Sequence, residues 1–171
     1  QVETAVLQSG RELPCSHLIS DISPHDLYGR LLPKEFGTTA RKLLEQIEYS
    51  PSVFSYHFTT RECHSDLPST MVIFPRDLER FCSQVYEEGV MPDELLLGVY
   101  RAGFYDRGFS SDGRDHFSVY LTTPNLRSAI QWQEVGAQLV EEIVARLEDR
   151  LLPNLSESIV AGFFRTPLDM E

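Results

Sequence analysis

Cysteine is scarce in this sequence and poorly placed for cross-linking. Cys15, Cys63 and Cys82 are an odd number with no CxxC pair, which argues against a disulfide framework or a structural zinc site. Long apolar runs are missing too: none reaches the roughly 18 residues that a bilayer-spanning helix needs. The N-terminus does not show the basic segment, apolar run and small-residue cleavage site of a secretory signal, so a cytoplasmic setting is expected. Basic charge is in deficit, with 15 Lys+Arg against 26 Asp+Glu and a formal net charge of −11. Such a balance argues against bulk affinity for nucleic acid or for an anionic membrane surface. Gly98, Gly103, Gly108 and Gly113 recur every five residues. They lack the strand–Gly-loop–helix context of a phosphate loop, and no cofactor is expected. No internal repeat or low-complexity segment divides the chain.

What remains is ordinary globular material, 171 residues of which 42% are hydrophobic. That size fits one domain. Residues 1–12 are polar and aperiodic and read as a flexible N-terminal segment, leaving residues 13–171 as a single α+β domain. Pro24–Leu32 predicts a short helix. Thr38–Glu48 predicts a better one, with Thr38 as N-cap and Phe36, Ala40, Leu43, Leu44 and Ile47 on one face. Val53–Thr60 alternates as a strand, with Phe54, Tyr56 and Phe58 on one side and Ser55, His57 and Thr59 on the other. Thr70–Phe74 is a short apolar strand. Leu78, Phe81, Cys82 and Val85 have helical spacing, with Pro75 at the start and Gly89 at the stop. The longest helix is expected over Pro124–Leu151, with a buried stripe of Trp132, Val135, Leu139, Ile143 and Leu147. Ser158–Phe164 is a candidate last strand. From about residue 70 the order is βαββαβ, which matches a ferredoxin-like split βαβ arrangement. The long C-terminal helix would pack on an antiparallel or mixed sheet, with an N-terminal helix–strand extension in front.

Glu94–Thr123 reads as two extended arms joined at Asp112-Gly113, a dipeptide suited to a type I′ turn. A two-residue loop there places Phe109 opposite His116, Arg107 opposite Ser118 and Tyr105 opposite Tyr120. One face of this hairpin then gathers Arg101, Tyr105, Arg107, Phe109, His116 and Tyr120, while Phe117, Val119 and Leu121 point to the core. Guanidinium groups bind anions bidentately and aromatic rings anchor partners, so Arg101, Tyr105, Arg107, Phe109 and Tyr120 are the expected ligand- or partner-binding residues.

Two tetrapeptides carry further chemistry: His57-Phe58-Thr59-Thr60 and His116-Phe117-Ser118-Val119. On a strand, each His shares a face with the hydroxyl residue two positions on, and two imidazoles can serve as acid and base around a phosphate. The pair resembles the two-histidine phosphoesterases, which work without a metal. The resemblance implies His57 and His116 as acid and base, with Thr59 and Ser118 holding phosphate. His64-Ser65-Asp66 with the distant His116 partially resembles the facial triad of 2-oxoglutarate-dependent oxygenases. That resemblance implies His64, Asp66 and His116 as Fe(II) ligands and Arg127 as the co-substrate's arginine. The reading preferred over both is an acidic binding module, recognising a basic protein partner or a small anionic ligand through the Arg/aromatic sheet face.

Overall fold

The computed structural model describes residues 3–110 and 112–170, with only the backbone of Tyr105, Arg107 and Ser110. The chain forms two compact units, Gln1–Glu48 and Tyr49–Glu171. In the first, strands β1 (Thr4–Val6) and β2 (Glu12–Pro14) pair antiparallel. A helical turn α1 (Pro24–Asp26) runs on to Leu31, and helix α2 covers Thr38–Leu44. The division expected after residue 12 thus falls within β2. Helix α2 is capped by Gly37 at φ 70°, not by Thr38. Glycine suits that left-handed position.

The second unit is α+β. It contains strands β3 (Ser52–Thr60) and β4 (Thr70–Ile73), and helix α3 (Leu78–Cys82) continuing to Glu88. Next come β5 (Leu97–Arg101), the short helix α4 (Ala102–Tyr105), a 3-10 turn over Arg107–Ser110, and β6 (Asp115–Thr123). Helix α5 (Trp132–Arg150), helix α6 (Leu155–Ser158), β7 (Ile159–Arg165) and a last turn over Pro167–Met170 complete it. The five strands form one sheet in the order β4-β5-β6-β3-β7, and every neighbouring pair is antiparallel.

The βαββαβ order expected from residue 70 is present along the chain, but the sheet is not ferredoxin-like. A split βαβ would hold β4 and β5 apart by an inserted strand; instead they are direct antiparallel neighbours. The excursion through α3 only returns the chain to its own end of the sheet. The inner place beside β6 goes to β3, a nine-residue strand paired on both sides. The strand of the N-terminal "extension" is therefore an interior strand of the sheet. Helix α5 also starts later than expected, at Trp132 and not at Pro124.

Alternation divides the sheet into two unlike faces. Phe54, Tyr56, Phe58, Leu97, Val99, Phe117, Val119 and Leu121 face the core, where Trp132, Leu139, Ile143 and Leu147 of α5 meet them. Gly136 lets the helix come close, since a Cβ there would lie 2.6 Å from the Phe164 ring. The other face carries Ser55, His57, Thr59, Val72, Gly98, Tyr100, His116, Ser118, Tyr120 and Phe163. Among these, Val72, Tyr100, Tyr120 and Phe163 stay exposed. No helix among the described residues is long and apolar enough to cross a membrane.

Candidate functional site

The predicted tight hairpin does not form. Its first arm leaves the sheet after Arg101, and β5 pairs with β6 so that Tyr100 faces Ser118 and Gly98 faces Tyr120. Residues 102–114, AGFYDRGFSSDGR, are rich in glycine, serine and aspartate. That is turn chemistry, and it takes helical turns instead of extending the strand. Tyr105 and Arg107 were expected on the binding face, but their side chains lie outside the described residues. Phe109 is exposed on the connection, with its ring 6.0 Å from that of His116.

Arg101 is not on the outer face at all. It is 5% exposed, and its Nε donates to Asp115 Oδ2 at 2.5 Å. Its Nη1 donates to the Leu67 carbonyl at 3.0 Å and its Nη2 lies 3.6 Å from Cys63 Sγ. Asp115 is fully buried and also accepts from the His64 backbone N–H. Burial pushes its carboxyl up, but the hydrogen bonds from Arg101 and from the His64 backbone outweigh this and hold it below the ordinary carboxylate range. This cluster pins the 61–69 loop to the ends of β5 and β6.

The proposed iron triad is broken by the same arrangement. The His64 ring meets the core-facing Phe117, whereas His116 lies on the outer face bonded to Thr59. Asp66 is exposed in the loop. Among the described residues no group of three or more His, Cys, Asp or Glu is placed to hold a metal ion.

The two histidine motifs do come together. His57 faces Ser118 and Thr59 faces His116 across the β3–β6 pair. His57 Nδ1 is 2.9 Å from Ser118 Oγ, and His57 Nε2 is 3.1 Å from Ser55 Oγ. His116 Nδ1 is 2.9 Å from Thr59 Oγ1. Each motif's hydroxyl is thus bonded to the other motif's imidazole, so Thr59 and Ser118, expected to hold phosphate, are already engaged by the two histidines.

Around this ladder runs a ribbon of rings. Tyr100 meets Tyr120 edge-on at 5.5 Å, Tyr120 meets His57 edge-on at 5.8 Å, and His57 stacks on Phe163 at 4.9 Å. The ribbon crosses β5, β6, β3 and β7, a span of roughly 14 Å at the usual strand spacing. Sequence reasoning found His57 and Tyr120 but missed Tyr100 and Phe163. Alternation within Leu97–Arg101 and Ile159–Arg165 was the signal that placed them.

Burial, and then the positive charge of Arg165, push the His57 imidazole below its ordinary value. A histidine with a lowered folded-state pKa gives stability that is fully present above the unfolded value, about 6.5. That stability is lost as the pH falls through the folded pKa. The midpoint of urea unfolding therefore drops between pH 7 and pH 5, and His57→Gln flattens that part of the profile. A His57 titration by NMR at or above the ordinary histidine value would contradict this.

No protein-family model matches the chain. It is similar to the phytoene desaturase (lycopene-forming) of Paracoccus sp., 27% identical over 169 residues, which are 95% of this chain and 33% of that protein. It is also similar to the phytoene desaturase (neurosporene-forming) of Rhodobacter capsulatus, 26% identical over 94% of this chain and 32% of that protein. The phytoene desaturase (lycopene-forming) of Pseudescherichia vulneris is 24% identical over 99% of this chain and 35% of that protein. The chain spans about a third of the length of these curated relatives. They are carotenoid desaturases, and that overturns the binding-module reading as well as the phosphoesterase and Fe(II)-oxygenase readings.

Proposed function

We propose that the chain is part of an oxidoreductase of the carotenoid-desaturase kind, and that the outer face of its sheet lies against the hydrocarbon substrate. The observation that carries this reading is the similarity to phytoene desaturases along nearly the whole chain. Desaturation removes two hydrogens from adjacent carbons of a polyene. This chain's share of that task is to bind and align the hydrocarbon.

The chemistry of the outer face supports the assignment. A hydrocarbon offers nothing to hydrogen-bond, so a surface that holds it must be apolar or have its polar groups satisfied internally. Both ring nitrogens of His57 are engaged by hydroxyls, and His116 Nδ1 is engaged by Thr59. Covering these groups with hydrocarbon leaves those bonds intact and avoids much of the desolvation cost of an unpaired polar atom. The lowered pKa of His57 keeps its ring neutral near pH 7. The exposed rings of Tyr100, Tyr120 and Phe163 supply apolar area, worth about 25 cal/mol per Å² removed from water.

The test is phytoene binding from mixed detergent micelles, comparing the wild type with Tyr120→Ala/Phe163→Ala. The double variant binds at least about tenfold more weakly, in line with two lost aromatic contacts, while its melting temperature is unchanged. Equal binding by the two proteins would remove the outer face from the substrate site. No phytoene binding by the wild type would remove the reading itself.

A further inference from the structure

A cleft of about 570 Å³ opens at the end of the sheet where β3 begins and β6 and β7 finish. Its walls come from Tyr49 and Pro51, from Leu126 and Arg127, and from Pro167 and Met170. Tyr49, Leu126 and Met170 are all exposed hydrophobic residues, so three of the chain's exposed apolar side chains gather in one concavity. Scattered singly they would mean nothing; clustered around a cleft they mark a surface that an apolar group can cover.

One cation sits among them. The Arg127 guanidinium lies over the Tyr49 ring, 4.5 Å from its centroid. Among the described residues no carboxylate lies within ion-pair distance of it. Its side chain meets an aromatic ring inside an apolar cleft. Asp169, in the adjoining turn, is engaged otherwise: its Oδ2 accepts from the Thr166 N–H at 2.7 Å and the Thr166 hydroxyl at 2.9 Å. Ring stacking holds a planar guanidinium by its face and leaves its N–H edge free for an anion.

The wall carrying Arg127 is tied down. The Asn125 side-chain amide donates to the carbonyls of Tyr49 and Ser50 at 3.1 and 3.2 Å, while its Oδ1 accepts from the Arg127 N–H at 3.0 Å. Asn125 thereby clamps the segment before β3 to the segment after β6. The stacked pair is held in place before any ligand arrives, which lowers the ordering cost of binding.

We infer that this cleft binds a small amphiphile, with its anionic head on Arg127 and its apolar tail along Tyr49, Leu126, Pro167 and Met170. The site is separate from the outer sheet face and does not depend on the desaturase reading.

The test is titration calorimetry of the whole chain with four probes below their micellar concentrations: octyl phosphate, octanoate, octanol and inorganic phosphate. Octyl phosphate or octanoate binds at least about tenfold more tightly than octanol or inorganic phosphate, as one charge-assisted contact added to apolar burial requires. Whichever of the two binds more tightly identifies the head as phosphate or carboxylate. Arg127→Gln loses about tenfold, Leu126→Glu loses as much by setting a negative charge against the anionic head, and Tyr86→Ala, exposed and not part of the cleft wall, binds as the wild type does. Octanol matching octyl phosphate, or Arg127→Gln binding like the wild type at an unchanged melting temperature, would overturn the site.

Discussion

Arg101→Met lowers the stability of the protein by about 3–5 kcal/mol, the usual cost of leaving one member of a buried ion pair without its partner. Asp115 is fully buried, and Arg101 supplies its closest hydrogen bond at 2.5 Å. Removing the guanidinium leaves a buried carboxylate without its charged partner, with backbone N–H donors such as that of His64 still in place. The same change frees the Leu67 carbonyl and the 61–69 loop. Arg101→Met/Asp115→Leu recovers most of the loss, because replacing both partners by apolar groups removes the desolvation penalty along with the attraction. Urea unfolding of the wild type, the two single variants Arg101→Met and Asp115→Leu, and the double variant measures this, with the coupling energy taken from the cycle. Equal stability of Arg101→Met and the wild type would mean that the pair carries no such weight. The pair also sets an acid limit. The Asp115 carboxyl lies below its ordinary value in the folded state. Its contribution is therefore complete above the unfolded value, near pH 4, and is lost as the pH falls through the folded pKa.

Phe54→Ala costs about 3–5 kcal/mol, while Phe163→Ala stays within about 0.5 kcal/mol. The two phenylalanines lie on neighbouring strands of one sheet, and they differ in the face they occupy. Phe54 is fully buried, stacked on Phe164 at 5.5 Å and enclosed by the α5 side of the core. Its removal leaves a cavity that the surrounding strands cannot close. Phe163 is 56% exposed, so truncating it costs little stability and instead removes part of the ring ribbon. A large loss at Phe163 would show that the outer face is a second structural core, and the substrate surface proposed for it would go.

Periodicity carried the sheet's core face and the stripe of α5. Phe54, Tyr56 and Phe58 alternate cleanly, as do Phe117, Val119 and Leu121, and Trp132, Leu139, Ile143 and Leu147 recur at helical spacing. Those patterns are local, and the structure keeps them. Strand order is not local. Nothing within Ser52–Thr60 announces that it sits between β6 and β7, so reading it as an appendage produced the wrong topology. The hairpin error was avoidable. Leu97, Val99 and Arg101 share one parity, and so do Asp115, Phe117, Val119 and Leu121. A positive and a negative charge at core positions on neighbouring strands is the signature of a buried pair. The strong Asp112-Gly113 turn signal drew Arg101 into a binding face instead, although residues 102–113 hold glycine, serine and aspartate unsuited to a strand. The His57 and His116 motifs were legible only as a candidate cluster. Their chemistry was not, because spacing reveals which groups meet and says nothing of whether their hydrogen-bonding capacity is already spent.

The most direct test of the substrate face is photolabelling with a diazirine-bearing C40 polyene, followed by peptide mapping of the attachment points. The account predicts labels at Tyr100, Tyr120 and Phe163, on peptides containing residues 97–101, 115–123 and 159–165, and their suppression by excess phytoene. Labels on the outward side of α5, or spread over exposed apolar residues in proportion to their area and indifferent to phytoene, would contradict it.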